Sequence, residues 1–318
     1  PARRHKIGTA SGSRPSGPFL RSSANDAYAG WPDVALAASR SDPVMLKSVL
    51  ARGGDPEATT STGQPALHVA IAASSPATVG VLLDAGASPT RPDRAGHTPL
   101  GVAVSQGRKE IVQVLLERGA SPNEHGANDD APLTTAVRRG DAHILQMLLA
   151  HGAKVDTGKG DEAPLILATL RGDAATVSLL LRSGAGRETT DAAGHTALWH
   201  AACRDDTAVL SLLLGAGADV NAAVADGITP VACAAARGND AAFEKLLRAD
   251  ADVRARSQSG DTLLMLAARG NHATIVRRLV ALRVGLDAQN AFGDTALILA
   301  SQAGASDVVD LLLEAGAK

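Results

Sequence analysis

The feature that most constrains this chain is an internal repeat of about 33 residues. The segment Thr98-Pro99-Leu100 is followed by Leu115-Leu116, and equivalent segments begin at Thr196 and Thr295. The apolar residue after each Thr-x pair serves as an anchor for the repeat, and equivalent apolar residues are Val34, Leu67, Leu100, Leu133, Leu165, Leu198, Val231, Leu264 and Leu297. Successive anchors are 33 residues apart, except for 32 between Leu133 and Leu165. A period of this length predicts supersecondary units that stack on one another.

Each repeat predicts a helix, a tight turn, a second helix and a longer turn. The hydroxyl of a Thr such as Thr98 can cap the first helix, and a Pro such as Pro99 fits the first helical position. A Gly such as Gly107 can end that helix in the left-handed conformation. The second helix has apolar residues at i, i+3 and i+4, as in residues 111–116, and a Gly-Ala pair ends it. Such a unit cannot bury its own apolar faces, so it must stack on its neighbours.

The pattern Gly-x-Thr-Pro-Leu-His-x-Ala, followed by Leu-Leu-x-x-Gly-Ala-Asp-Val-Asn, resembles the ankyrin repeat. Residues 67–70 (Leu-His-Val-Ala) and 217–221 (Gly-Ala-Asp-Val-Asn) carry it almost letter for letter. The resemblance covers residues 27–318 as nine units, and it implies an all-α ankyrin-repeat solenoid of helix-turn-helix units with β-hairpin-like turns. The local departures from the pattern are Pro65, Ser74, Asp129, Asp205 and Val284-Gly285.

Composition agrees with this architecture and excludes several function classes. A length of 318 residues exceeds the roughly 250–300 of a single core and would suggest two domains, but stacked repeats escape that ceiling, so one elongated domain is expected. Only six residues are aromatic, as expected of Ala-rich helices that pack closely. A net charge of −2 and so few rings argue against nucleic-acid binding. The sequence has no membrane-spanning apolar stretch, and its two cysteines are too few for a disulfide-rich scaffold.

The two ends of the chain carry separate expectations. Residues 1–26 are basic and rich in Ser, Gly and Pro, which predicts a disordered leader. This leader is either a solvated remnant of a processing or cloning cut, or a secretion or targeting segment. The last repeat keeps an internal-type sequence at Leu311–Leu313, so either the natural protein continues or this end contacts a partner. We predict a cytoplasmic protein, or an exported one if a signal precedes Pro1.

One group of residues could in principle form a catalytic or metal-binding site. His200 and Cys203 lie one helical turn apart, and Cys233 occupies the core position of the next repeat. Together they could form a thiol nucleophile with its base, or three ligands of a metal. No orienting carboxylate or fourth ligand is evident, so we favour purely structural roles. Cys233 would then be a small buried residue, His200 a hydrogen-bonded core residue and Cys203 a surface thiol. The sequence therefore predicts no enzymatic activity, no metal and no cofactor.

A column of arginines suggests a binding surface. Six residues after the anchor, at the end of the first helix, lie Arg40, Arg139, Arg171, Arg204 and Arg237, with Arg269 shifted by one place. Stacking would space such residues about 10 Å apart. Four of them in consecutive repeats would form an arginine ridge suited to carboxylates or phosphates. Alternatively, acids two residues later could neutralise three of them locally, namely Asp141, Asp173 and Asp206.

Beside this ridge we expect Trp199, which takes the position where the family usually carries His, and His195 on the preceding turn. Trp is over-represented among interface hot spots. The alternative is that Trp199 packs under the turn of a neighbouring repeat. The turns also carry acids, which are Glu124, Asp129, Asp130, Asp161, Glu162, Glu188 and Asp191. Acidic turns above an arginine ridge favour a protein partner with an acidic or mixed-charge surface.

The resemblance implies a non-enzymatic scaffold that binds another protein through a concave groove, over about the third to eighth repeats. Only seven of the 31 basic residues are Lys, a bias typical of GC-rich and often bacterial coding. An alternative function is therefore a bacterial inhibitor or immunity partner of a toxin or hydrolase, or a secreted effector acting on a host protein. A remote alternative is thiol- or metal-dependent activity at His200, Cys203 and Cys233.

Overall fold

The computed structural model describes residues 30–126, 131–158, 160–224 and 226–318. Within these ranges the chain forms eighteen α-helices and a single turn of 3-10 helix, with no extended strand. The predicted all-α repeat fold is thereby confirmed. The predicted leader at residues 1–26 lies outside the described residues, as do Asp129 and Asp130.

The helices alternate in two series along the chain. The first helix of each pair is one of α1 (Asp33–Ser39), α3 (Ala66–Ala72), α5 (Pro99–Gln106), α7 (Pro132–Arg139), α9 (Pro164–Leu170), α11 (Ala197–Cys203), α13 (Pro230–Arg237), α15 (Leu263–Arg269) and α17 (Ala296–Gln302). The second is one of α2 (Pro43–Ala51), α4 (Pro76–Asp84), α6 (Lys109–Glu117), α8 (Ala142–Ala150), α10 (Ala174–Arg182), α12 (Thr207–Gly215), α14 (Asp240–Arg248), α16 (Ala273–Ala281) and α18 (Ser306–Glu314). Each anchor is the second residue of its odd-numbered helix, and all are buried except Leu297, which is half-buried.

The chain divides into two compact units, one ending at Ser88 and one beginning at Pro89. In the first unit α1 packs against α2 and α3, and α4 packs against α2 and α3. In the second unit each odd-numbered helix from α5 to α17 packs against the next odd-numbered helix and against the even-numbered helix that follows it. The even-numbered helices α10 to α18 also pack in sequence.

Short side chains allow this packing. In α11 and α13 the alanines Ala201, Ala202, Ala234 and Ala235 are fully buried, which brings the two helix backbones close together. An aromatic ring would not fit between these two helices, because their backbones lie too close together. The scarcity of aromatic residues is therefore a requirement of the stack.

Local chemistry sets the helix ends as the sequence predicts. The hydroxyl of Thr196 accepts the backbone N–H of Trp199 at 3.2 Å, and Thr98, Thr229, Thr262 and Thr295 cap their helices in the same way. Pro65 replaces such a Thr, and α3 has no side-chain cap. The longer turns include isolated antiparallel bridges such as Thr190 to Thr196, which confirms their hairpin-like character.

The residue seven places after each anchor has a positive φ and ends the first helix of its repeat. It is Gly in five repeats, with φ between 68° and 74°. The other four positions are occupied by Ser41, Ser74, Asp205 and Asn271, with φ between 55° and 60°. The left-handed turn is therefore kept where Gly is replaced, because the following helix must reverse direction there. No helix in the described ranges is long and apolar enough to span a membrane.

Candidate functional site

The arginine column does not behave as a uniform ridge. Arg139 Nη1 donates to the Ser105 carbonyl at 2.6 Å, and Arg171 Nη1 donates to the Arg138 carbonyl at 3.0 Å. Both acceptors lie near the C-terminal end of the preceding odd-numbered helix, where carbonyls lack intrahelical partners. These two arginines therefore link neighbouring repeats, a role that the sequence analysis missed.

Other residues fulfil this linking role further along the stack. Asn239 donates to the Ala202 carbonyl at 2.8 Å, and His272 Nε2 lies 3.1 Å from the Ala236 carbonyl. Arg237, in the same repeat as Asn239, is exposed, and its side chain makes no hydrogen bond with the described residues. Arg204 is exposed in the same way. Arg269 Nη1 lies 3.5 Å from Asp261 Oδ2.

The three aspartates expected to neutralise the column are the N-caps of even-numbered helices. Asp141 accepts the N–H of Ile144, and Asp206 accepts the N–H of Val209. Asp173 caps α10 by accepting the backbone N–H of Thr176, and the positive charge of Arg171 also acts on its carboxylate. Burial raises the pKa of Asp173, but hydrogen bonds from Thr176 and the charge of Arg171 lower it overall. The charge of Arg171 therefore favours the ionised form of Asp173, while capping is the shared role of these aspartates.

Two of the predicted turn acids also act within the stack. Asp161 accepts the backbone N–H of Ala192 at 3.1 Å, and Glu188 accepts that of Asp219 at 2.9 Å. Each bond joins one long turn to the next turn in the sequence. These carboxylates order the turns, so fewer acids remain available to a partner than the sequence suggests.

The remote alternative of a cluster of His200, Cys203 and Cys233 does not form, and the favoured surface thiol is also wrong, because Cys203 is buried. Cys203 and Cys233 are joined by a disulfide that links α11 to α13, with their Cα atoms 5.3 Å apart. There is no free thiol among the cysteines, so neither residue is a nucleophile or a thiolate ligand. His200 is instead directed to a carboxylate that the sequence analysis did not assign to it.

That carboxylate is Asp191, in the turn before α11. Its Oδ1 accepts the backbone N–H groups of Ala193 at 2.9 Å and His195 at 2.8 Å. Its Oδ2 lies 2.9 Å from His195 Nδ1 and 2.8 Å from His200 Nε2. The two oxygens thus have separate roles, because Oδ1 orders the turn and Oδ2 holds two imidazole rings.

The environment of Asp191 keeps it ionised. Only 8% of its side chain is exposed, against 22% for His195 and 14% for His200. Burial is the largest influence and raises the pKa of Asp191, but hydrogen bonds from the His195 N–H and from both rings outweigh it and lower the pKa to about 2. The site therefore contains a fixed negative charge at neutral pH.

Trp199 lies against this cluster. The His195 ring stacks on the Trp199 ring with centroids 3.7 Å apart and an interplanar angle of 24°. The His200 ring meets Trp199 edge-on, with centroids 5.3 Å apart. Trp199 is half-buried, and its indole nitrogen is buried without a hydrogen-bond partner in the described structure. His195 and Trp199 thus lie together, and Asp191 holds the His195 ring. The available signal for Asp191 was the spacing Asp-x₃-His-x₄-His.

The last helix pair has an exposed apolar surface that the sequence analysis missed. Phe292 is 78% exposed in the turn before α17, and Ile298 on α17 is 40% exposed. Ile298 follows its anchor directly, as Trp199 does. The position after the anchor therefore presents large apolar side chains in two separate repeats.

Comparison with known families agrees with the observed fold. The model for ankyrin repeats in three copies matches residues 34–126, 165–257 and 231–318, and the single ankyrin-repeat model matches residues 128–158. A search of curated proteins finds no match to the chain. The matched segments cover most of the chain and coincide with the alternating helix pairs. This chain therefore belongs to the ankyrin-repeat family.

Proposed function

We propose that the protein is a non-enzymatic scaffold that binds another protein through the turns and odd-numbered helices between Pro89 and Lys318. Ankyrin repeats generally mediate protein–protein interaction, which supports the general function. The observation that carries the site is the ordered pair of His195 and Trp199 at the start of α11, the helix that is followed by exposed Arg204. A ring already held in place loses little conformational entropy when a partner covers it.

The arginines most available to a partner are Arg204 and Arg237. They occupy equivalent positions at the ends of α11 and α13, which pack against each other. Packed helices lie about 8–10 Å apart, so two carboxylates of one partner surface could bind both guanidinium groups. Arg139 and Arg171 already donate to carbonyls within the stack, and they contribute less to binding for that reason. We therefore centre the binding site on Trp199, Arg204 and Arg237, with His195 and Arg269 beside them.

The test is capture of the native partner by the full chain and by charge-reversal variants. R204E/R237E and W199A should each weaken capture by about tenfold or more, since hot-spot side chains contribute 2 kcal/mol or more. A matched control is R182E/R248E, which makes the same charge change on the even-numbered helices α10 and α14. Equal loss of capture in the control would contradict the assignment of the site, and so would full capture by R204E/R237E.

The disulfide favours the exported alternative over a cytoplasmic location. Disulfides persist in oxidising compartments and are reduced in the cytosol of most organisms. The bond between Cys203 and Cys233 joins two neighbouring repeats and is mostly buried. We therefore propose that the protein functions in an oxidising compartment, where its partner is an exported toxin or hydrolase, or a host protein. Stoichiometric loss of the partner's enzymatic activity in titrations would distinguish an inhibitor from an effector that leaves activity unchanged.

A further inference from the structure

We propose that Asp191, His195 and His200 form a binding site for a divalent transition metal, with Zn²⁺ as the fitting ion. Two imidazole nitrogens and one carboxylate oxygen form a common zinc donor set, and a water completes four-coordination. Within the described residues, these three are the one group of His, Cys, Asp and Glu side chains found close enough to share an ion. The site uses no cysteine, so it is independent of the disulfide.

The ligand atoms lie close enough to share an ion once the two rings rotate towards it. The three ligand atoms lie within 4.8 Å of one another, and Asp191 Oδ2 is 2.8–2.9 Å from each ring nitrogen. Ligands bound to tetrahedral Zn²⁺ at about 2.0–2.1 Å are separated by about 3.3 Å. Each ring must therefore move away from the carboxylate by about half an ångström, and the two ring nitrogens, which lie up to 4.8 Å apart, must come closer to each other. The ion then takes the place of the hydrogen that each ring nitrogen donates to Oδ2, and each neutral ring carries its proton on the other nitrogen.

The surroundings already orient the ligands. Asp191 Oδ1 is held by the N–H groups of Ala193 and His195, which leaves Oδ2 directed at the rings. The His195 ring is fixed by its stack on Trp199, and His200 is fixed by its place in α11. Such outer contacts strengthen metal binding because little ordering remains to be done when the ion arrives. All three ligands come from ten consecutive residues, so binding needs no movement between repeats.

A second turn in the same unit provides an internal comparison. His97 Nδ1 lies 3.2 Å from Asp93 Oδ2, and Asp93 Oδ1 accepts the N–H groups of Ala95 and His97, as in the turn at Asp191. The residue at the position of His200 is Val102 there. The Asp–His pair alone is therefore a turn arrangement that recurs without a third ligand. His200 is the residue that converts the pair into a three-ligand site.

The alternative is a hydrogen-bonded cluster with a purely structural role. Such a cluster would stabilise the turn before α11 without affinity for any ion. The two explanations differ in what Zn²⁺ does to the full chain, which must be produced without a polyhistidine tag. Isothermal titration with ZnCl₂ measures this directly. The expected result for the natural sequence is one Zn²⁺ per chain at micromolar or tighter affinity.

The decisive variant is H200V, which reproduces the residue found at Val102. Loss of one ligand of three should weaken Zn²⁺ binding by at least about tenfold, while the matched variant H97V should bind as the natural sequence does. H200Q serves as a second variant that keeps a polar group, and circular dichroism checks that each variant folds. A natural chain that fails to bind Zn²⁺ at 100 μM, roughly the weak end of specific sites, would overturn the proposal. Unchanged affinity in both H200V and H200Q would overturn it as well.

A spectroscopic measurement separates this site from adventitious binding at other histidines. Ni²⁺ or Cu²⁺ bound between the rings should quench Trp199, because the His195 ring is stacked on it. Replacing Trp31 by Phe leaves Trp199 as the single tryptophan of the chain. Quenching that saturates at one equivalent and is abolished by H200V supports the proposal. Quenching that persists in H200V would place the ion elsewhere and overturn it.

Discussion

Removing the charge of Asp191 tests how the turn before α11 is held. In D191N the side chain keeps one acceptor oxygen but loses the negative charge that two rings and two backbone N–H groups share. The pKa of Asp191 is lowered from 3.8 to about 2. Each pKa unit is equivalent to about 1.4 kcal/mol, so the ionised carboxylate contributes at most about 2.5 kcal/mol of stability.

The sign of this effect sets the pH range of the experiment. A carboxyl whose pKa is lowered by folding stabilises the protein fully above its unfolded pKa of 3.8, and the contribution is lost as the pH falls towards 2. The natural sequence should therefore lose up to about 2 kcal/mol more unfolding free energy between pH 5 and pH 2 than D191N does. Above pH 5 the difference between the two proteins should be constant.

The assay is urea unfolding at a series of pH values, followed by Trp199 fluorescence in proteins that carry W31F. Repeat arrays can unfold in parts, and a probe stacked on His195 reports the segment in question. If both proteins lose the same unfolding free energy between pH 5 and pH 2, the reasoning about the Asp191 carboxylate is refuted.

Two further predictions concern the repeat junctions. G107A should lower the unfolding free energy slightly more than G304A. Both glycines have φ of 70°, but a Cβ at Gly107 would displace the Arg139 guanidinium, 2.5 Å away, and disturb its hydrogen bond to the Ser105 carbonyl. The strain common to both should be about 1–2 kcal/mol, and thermal melts that shift equally would show that the Arg139 contact is unimportant. Reduction of the Cys203–Cys233 bond should lower the unfolding free energy by about 3.6 kcal/mol, because it opens a loop of 30 residues. Iodoacetamide labelling of unfolded but unreduced protein should find no thiols, and two labelled cysteines would contradict the pairing.

The sequence predicted local structure well because local interactions produce it. Thr196 and Thr98 cap their helices as expected, and the left-handed turn recurs at Ser74 and Asp205, although neither is Gly. The capping role of Asp206 was missed although its signal was present, since Asp immediately before a helix is a preferred N-cap. Its position directly before α12, more than its charge, sets its role.

The candidate site was only partly predictable. His195 and Trp199 are four residues apart, and their proximity followed from the spacing. The spacing did not predict the direction of the Arg139 side chain, because its hydrogen-bond acceptor is the carbonyl of Ser105, one repeat earlier in the chain. Periodicity places equivalent residues in a column, but it does not show whether a side chain in that column faces solvent or the preceding repeat.

The sequence alone determined that this protein is a stack of short helix pairs, because a 33-residue period and its caps act within each repeat. Only the tertiary structure decided the partners of His200, Cys203 and Cys233. Cys203 meets Cys233 because α11 packs against α13, and His200 turns to Asp191 because the long turn folds back over the start of α11. The Cys203–Cys233 contact depends on side-chain direction between packed helices, which residue spacing does not contain, whereas the spacing of Asp191 and His200 only made their contact possible.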